Sequence, residues 1–322
     1  MTKQYKYFID SKLLAYYLVQ RKGSILEIYN KIAQLLWDLP KGEIYVAFDV
    51  GKSSYRTSIY SQYKGHRAKA KEKKSPQELL DNKKFEEDYI KLIDFTKELN
   101  VHVLAVQGVE ADDLISIKVQ ELKDDPNNVI YLVTGDMDYV NSVVGTDNVF
   151  IINALQNGDI IGHDEVLKKY GEDMYSRDRF NIHKSIFGDR SDNIKFLRNF
   201  GAVKAQEVFN AIFEKTLEPS TEDILEEINK VIQRYSNIKV HENHEADGRL
   251  TIEEAFNANM LLADTFRDTS LMDKGQLVHY LLCQERVPPK EAQKVDLILK
   301  SYELFGENID FSYKAEKVFN IK

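Results

Sequence analysis

The stretch Val129-Ile130-Tyr131-Leu132-Val133-Thr134-Gly135-Asp136-Met137-Asp138 decides the fold. An unbroken apolar and aromatic run, entered from the turn-rich Asp124-Asp125-Pro126-Asn127-Asn128, predicts a strand buried on both faces. The run stops at a glycine and hands the chain to two acids. The same grammar occurs three times upstream. Residues 5–9 read as a strand ending at Asp10, residues 44–48 as one ending at Asp49, and residues 101–106 as one leading into Gly108-Val109-Glu110-Ala111-Asp112-Asp113. Helical periodicity fills the gaps at 13–19, 25–37, 85–99 and 111–122; in the second of these Ile25, Ile28, Tyr29, Ile32, Leu35 and Leu36 form the apolar stripe. Alternating strands and helices predict an α/β fold, a mostly parallel twisted sheet with helices on both faces. Such a sheet brings all four strand ends to one rim, where open α/β sheets bind their ligands.

Working outward, Gln156-Asn157-Gly158 between the apolar runs 150–152 and 159–161 predicts a hairpin. Beyond His163 the pattern is almost wholly helical, with a break at Pro219-Ser220-Thr221 before a helix over 224–235. Residues 237–248 read as a solvated loop, although His241 and His244 have the i, i+3 spacing of a metal-binding turn. A fifth acidic group appears in Gly188-Asp189-Arg190-Ser191-Asp192-Asn193, where the i, i+3 spacing predicts both aspartates on one side of a helical turn.

The candidate set is therefore Asp10, Asp49, Glu110, Asp112, Asp113, Asp136, Asp138, Asp189 and Asp192. A single aspartate at a strand end also serves as a helix cap or turn residue; five groups arriving together ask for another reason. Crowded carboxylates raise one another's pKa, and bound cations relieve the repulsion. Oxygen-only ligands favour Mg²⁺ or Mn²⁺ over zinc, and the number of acids suits two or more ions. Two such ions can hydrolyse a phosphodiester.

The chain of 322 residues carries 44 basic and 52 acidic side chains, a net charge of −8 that argues at first against a nucleic-acid partner. The distribution reverses this. Between Lys52 and Lys74 lie eight Lys or Arg residues and one acid, Glu72. With the nine candidate acids set aside, the rest of the chain is close to neutral, and a basic insert beside an acidic rim suits a polyanion. The 43% hydrophobic content, with 15 Gly and 6 Pro, excludes collagen-like and largely disordered chains. One cysteine, Cys283, excludes an internal disulfide and a Cys-rich zinc site, and leads us to expect a reducing, cytoplasmic setting. No stretch has the roughly 20 apolar residues of a membrane helix, and the N-terminus lacks the apolar core of a secretion signal.

The motifs Phe48-Asp49, Gly108-Val109-Glu110-Ala111-Asp112-Asp113, Thr134-Gly135-Asp136-Met137-Asp138 and Gly188-Asp189-Arg190-Ser191-Asp192-Asn193-Ile194 resemble those of the 5′-nuclease superfamily. That superfamily includes bacteriophage flap endonucleases and 5′→3′ exonucleases, phage ribonuclease H and the 5′-nuclease domain of bacterial DNA polymerase I. Tyr63-Lys64-Gly65-His66-Arg67 resembles the Tyr-Lys-Gly-x-Arg of the phage enzymes, and the likeness covers roughly residues 5–215.

The resemblance implies a PIN-like core with a helical arch at about 52–84 inside residues 1–175, a helix-turn-helix module at 176–215 and a helical C-terminal region at 216–322. It implies that Asp10, Asp49, Glu110 and Asp112 hold one metal group, Asp136, Asp138, Asp189 and Asp192 a second, with Asp113 assisting. Lys64 and Arg67 would meet the scissile phosphate as catalytic cations, and Arg56, Lys69, Lys71, Gly201 and Lys204 would contact nucleic acid. Expected partners are DNA with 5′ flaps or 5′ ends, RNA–DNA hybrids, and a replication protein reached through the C-terminal region; a monomer is expected. The helix-turn-helix of the family often binds K⁺, but here Phe196 and Asn199 replace two glycines and the lysine falls at Lys204, so K⁺ is left open. Asp10 is followed by Ser11-Lys12 in place of Gly-x-Asn.

Other readings fit less well. A haloacid-dehalogenase phosphatase needs an acid at the position of Lys12, an EF-hand fails at Val140, and a phosphate-binding loop ending at Gly51-Lys52-Ser53 would need a glycine at Val46. A PIN-type ribonuclease shares the acidic rim but not the basic insert. A catalytically silent DNA-binding protein has no reason to keep the full acid set.

Overall fold

The computed structural model describes residues 2–11, 15, 24–156, 158–170, 176–235, 237–264, 268–285 and 291–321. The chain groups into two compact units. The first comprises residues 1–53, 75–172 and 265–322, and the second residues 54–74 and 173–264. This is a division by packing, and the functional boundaries at 175 and 215 remain a proposal.

The first unit is built on six strands: β1 (Gln4–Asp10), β2 (Glu43–Phe48), β3 (His102–Ala105), β4 (Asn128–Thr134), β5 (Val149–Asn153) and β6 (Asp159–Ile161), in the order β3-β2-β1-β4-β5-β6. The first five strands run parallel, and β6 returns antiparallel to β5 as the hairpin pattern predicts. β1 lies at the centre, and the chain builds outward to β2 and β3 before crossing to β4 on the other side. The strand order therefore switches direction beside β1, the place where a ligand crevice forms. The mostly parallel α/β fold expected from the pattern is the one observed.

Side chains alternate across the central strand. Tyr7 and Ile9 enter a core shared with Tyr29 and Ile32 of the helix Ile28–Leu36 and with Leu92 and Phe95 of the helix Pro76–Thr96. Phe8 faces the other way and stacks on Tyr45, 4.7 Å between ring centroids. On that side Tyr280, in the helix Lys274–Glu285, donates a hydrogen bond to Glu121 of the helix Ala111–Leu122. Helices thus cover both faces.

The C-terminal segment belongs to this core. Phe319 is fully buried edge-on to Tyr29, and Phe311 stacks on Phe95. Phe319 and Ile321 are therefore core residues, while Tyr302 on the helix Lys294–Phe305 stays 63% exposed. The helix expected at 85–99 begins nine residues earlier, at Pro76, because Ser75 and Glu78 form a reciprocal cap. Of the helix expected at 13–19, only Ala15 is among the described residues.

The second unit packs the helices Arg177–Phe187, Ala202–Lys215, Thr221–Gln233 and Ile252–Ala263 around Ile186, Phe196, Val208, Phe209, Ile228 and Phe256. The basic segment joins it as two short helices, Ser54–Ile59 and Gly65–Glu72, through a small cluster of Tyr60, Tyr63, Ile194 and Leu262. Among the described residues no helix is long and apolar enough to cross a membrane.

Candidate functional site

The first unit brings seven of the nine candidate acids to the carboxyl ends of its parallel strands. Asp10 is the last residue of β1, and Asp49 follows β2 directly. Asp49 does not stay at its own strand: its Oδ1 accepts the backbone N–H of Ala111 at 2.6 Å, pinning the start of the helix Ala111–Leu122. Ala111 is the first residue of that helix, so its N–H has no intrahelical acceptor and the carboxylate meets the positive end of the helix dipole. Glu110, Asp112 and Asp113 follow at the same helix start, and each offers a carboxylate oxygen within 4.8 Å of the others. Asp112 Oδ1 also accepts from the N–H of Asp113. After β4, the N–H of Asp136 donates to Thr134 Oγ1, and Asp136 Oδ1 accepts from the N–H of Asp138.

Two tyrosines read the field of this cluster. Tyr139, 4% exposed in the turn after Asp138, has its hydroxyl pKa pushed well above the ordinary value, by burial first and then by Asp10, Asp112, Asp136 and Asp49. Four carboxylates, one from each of four strand ends, therefore act on one phenol. Tyr89, on the helix Pro76–Thr96, is likewise pushed well above its ordinary value by burial and then by Asp49, with Asp10 contributing. Its hydroxyl sits 2.9 Å from Ser11 Oγ, which donates to the carbonyl of Ala47. Ser11 thus ties the end of β1 to β2 and Tyr89. Both tyrosines were missed from the sequence. Tyr139 had a signal in its position one residue after Asp138; Tyr89 had none, because the helix periodicity marks it simply as core.

An oxygen-only donor set of this density fits a hard divalent cation. Three carboxylates within 4.8 Å of one another lie in reach of a single ion, and the donor chemistry gives no preference for zinc.

The second unit holds the other two acids and the basic segment. The Asp189–Asn193 loop is not the helical turn expected from the i, i+3 spacing. It is a tight loop closed by paired backbone hydrogen bonds between Asp189 and Ile194, 2.9 and 2.7 Å, with Asn193 at φ 61°. Asp189 Oδ1 accepts from the N–H and hydroxyl of Ser191, and its Oδ2 lies 3.1 Å from Lys184. Burial by itself raises the Asp189 carboxyl, but Lys184 and Ser191 outweigh it and hold it below the usual carboxylate range.

Asp192 gathers the motif cations. Its Oδ2 accepts from Tyr63 Oη at 2.9 Å, while its Oδ1 lies 3.7 Å from Lys64 Nζ and 3.4 Å from Arg67. Its backbone carbonyl accepts the N–H of Lys64 at 2.8 Å. Lys64 has φ 52°, a left-handed conformation that costs a non-glycine residue roughly 1–2 kcal/mol, and this latch on Asp192 helps to hold it. Lys64 and Arg67 are thus brought together on one carboxylate. The Lys64 and Asp192 side chains are 25% and 20% exposed and that of Arg67 58%, so solvent screens the Arg67 pair more than the Lys64 pair.

The other expected nucleic-acid contacts fare differently. Arg56, expected to contact nucleic acid, is only 2% exposed and lies over the Tyr63 ring, 5.7 Å from its centroid. Lys69 and Lys71 fall on the helix Gly65–Glu72, and their side chains lie outside the described residues. Gly201 is exposed at the start of the helix Ala202–Lys215 with open space around it, and Lys204 donates to the carbonyl of Asn199 while sitting over Tyr235. Asn199 adopts φ 60°, so it keeps a backbone conformation usually reserved for glycine; Phe196 is a buried core residue.

The stretch 237–248 is not a solvated loop. His244 is fully buried, its Nε2 donates to the carbonyl of Lys195 at 2.8 Å, and its pKa is lowered by burial. His241 caps the short helix Glu242–Ala246 by accepting from the N–H of Asn243. The two rings thus serve different partners, a helix N-terminus and a backbone carbonyl.

The family described as "5′-3′ exonuclease, N-terminal resolvase-like domain" matches residues 6–171. The chain is 25% identical over 221 residues to a 5′-3′ exonuclease of Buchnera aphidicola subsp. Schizaphis graminum, covering 68% of this chain and 63% of that protein. It is 26% identical over 197 residues to DNA polymerase I of Lactococcus lactis subsp. cremoris, covering 56% of this chain and 21% of that protein. The match therefore spans less than two thirds of either relative. Among solved structures, the T5 5′-exonuclease with bound divalent zinc ions superposes with a TM-score of 0.60 at 18% identity, covering 98% of this chain and 99% of that one. The bacteriophage T5 flap endonuclease in a complex with DNA and metal ions gives 0.57 at 17% identity, covering 97% and 100%. At these identities the likeness is one of fold.

Proposed function

The chain belongs to the 5′-3′ exonuclease family, N-terminal resolvase-like domain, and from that membership we propose that it is a structure-specific 5′ nuclease acting on DNA at junctions of single and double strand. The observation that carries the reading is the acidic rim: carboxylates from four successive strand ends collect at the switch point of a parallel sheet, with Glu110, Asp112 and Asp113 within reach of one ion. The reaction is hydrolysis of a phosphodiester, with Mg²⁺ as the working cation and Mn²⁺ as a substitute. Divalent cations bound by the acids would lower the pKa of water and offset the charge that builds on the phosphate.

The chain's own part is to place charge. Asp10, Asp49, Glu110, Asp112, Asp136 and Asp138 supply the anionic pocket, with Asp113 supporting it. Asp189 and Asp192, in the second unit, are the remaining candidate ligands. Lys64 and Arg67 leave Asp192 for the scissile phosphate and stabilise its developing charge. The remaining basic residues of 52–74, together with Lys204, draw in the DNA backbone, so binding should weaken steeply with salt. No serine, cysteine or histidine nucleophile is required. The related T5 enzyme with DNA and metal ions supports DNA as the substrate class, and a monomer suffices for this scheme.

The test is a product-length assay on end-labelled 5′-flap, nicked and RNA-primed duplexes, with Mg²⁺, with Mn²⁺ and with EDTA. Release of short 5′ products that needs a divalent cation is the expected result. Intact substrates under every metal condition would reject the reading.

A further inference from the structure

The stretch 237–248 that the sequence marks as a loop, with Arg249 just beyond it, brings His244, Asp247 and Arg249 onto the base of the basic segment. The fully buried Tyr60 sits against His244, 5.0 Å between ring centroids. One residue further on, the N–H of Ser61 donates to Asp247 Oδ2 at 3.0 Å. Arg249 bridges the same ground: one guanidinium nitrogen donates to Asp247 at 3.2 Å and another donates to the carbonyl of Ile59. Ile59 closes the helix Ser54–Ile59, and the last carbonyls of a helix lack intrahelical donors and form the negative end of its dipole. A guanidinium suits that position in both respects, and its planar fork reaches two acceptors at once. The side chains of Asp247 and Arg249 are 13% and 20% exposed, so solvent competes little for either.

The pinned residues lead directly into the turn that carries Lys64. The N–H of Tyr63 donates to the carbonyl of Tyr60, and that of Gly65 to Gln62. On the far side the turn is latched by the Lys64 N–H to the Asp192 carbonyl and by Asn193 Nδ2 to the Gln62 carbonyl. The left-handed Lys64 is thus held between two anchors, one from 192–193 and one from 247–249.

We propose that Asp247 and Arg249 are positioning residues: they clamp residues 59–61 so that Lys64 and Arg67 are presented in register for the phosphate. This rests on the reading of Lys64 and Arg67 as phosphate-facing cations. Catalytic geometry is steep in distance, and a misplacement of about 1 Å can cost on the order of 100-fold in rate. Loss of the clamp therefore shows in the chemical step and leaves the grip on duplex largely intact.

The experiment compares Arg249→Ala, Arg249→Lys, Lys64→Ala and the Lys64→Ala/Arg249→Ala double variant in the full chain. Single-turnover cleavage of a 5′-flap substrate with Mg²⁺ is measured beside flap binding in EDTA by fluorescence anisotropy. We expect Arg249→Ala to slow cleavage by roughly 10-fold or more with Kd changed less than about 2-fold, and Arg249→Lys to recover part of the loss. In the Lys64→Ala background the further loss should be clearly smaller, since one of the two cations that the clamp presents is already gone. An equal loss in both backgrounds, or a Kd rising in step with the rate loss, overturns the clamp. Lys64→Ala cleaving like wild type instead removes the premise, and the proposal with it. A second readout is independent of turnover: trypsin should cut within residues 64–74 faster in Arg249→Ala, and unchanged cutting would also count against the clamp.

Discussion

At the scale of the residue, the acidic rim depends on oxygen atoms, not on bulk charge. Asp49 pins the helix at Ala111 and Asp136 caps the N–H of Asp138, each through its Oδ1, and both belong to the candidate ligand set. Asp136→Ala should therefore abolish cleavage of a flap substrate while flap binding in EDTA stays measurable; full Mg²⁺-dependent turnover in this variant would reject the assignment. Tyr139 makes the opposite kind of case. Its hydroxyl is buried and has no hydrogen-bond partner among the described residues. An unmet buried polar group costs about 1–3 kcal/mol, so in EDTA Tyr139→Phe should unfold at the same or a higher urea midpoint than wild type. A loss of more than about 1 kcal/mol would mean that the hydroxyl is already engaged. Both substitutions sit beside the candidate ligands, and neither position announces its partner in the sequence.

At the scale of the element, loops matter as much as helices. The Asp189–Asn193 loop is set by Gly188, which has φ 73° at the end of the helix Arg177–Phe187. A Cβ there would lie 2.6 Å from the carbonyl oxygen of Ile194, the acceptor that closes the loop. Gly188→Ala should cost about 1–3 kcal/mol of stability, and it should impair cleavage by more than the stability loss accounts for, because it moves the carboxylates of Asp189 and Asp192. Wild-type kinetics in a folded Gly188→Ala protein would contradict this. The helix Pro76–Thr96 shows the reverse, an element whose start was legible but overlooked: Ser75-Pro76-Gln77-Glu78 carries the capping-box spacing with proline at the first helical position.

At the scale of the whole molecule, one buried and three half-buried histidines couple stability to pH. His102, His183, His241 and His244 all have pKa values lowered from 6.5, with burial the largest cause in each. His102 stacks on Tyr45 and His183 on Phe187. The unfolded chain takes up these protons near 6.5 while the folded chain resists them. Their stabilisation is whole above that pH and is lost as the pH falls below it toward the folded values. Urea midpoints should therefore drop between pH 7.5 and pH 5.5, before the carboxylates titrate; a flat or rising midpoint over that window would show that these rings are not neutral in the fold.

The sequence by itself determined the α/β class, the parallel strands and the delivery of acids to their ends. Those features follow from local period and from runs long enough to be buried on both faces, and they need no knowledge of partners. Tertiary structure alone decided that residues 54–74 pack with 173–264, that Arg56 and His244 are interior, and that Asp192 collects Tyr63, Lys64 and Arg67. The physical reason is range. Burial and ion pairing of a polar side chain depend on groups more than a hundred residues away along the chain, and nothing in the local pattern encodes which of them will arrive.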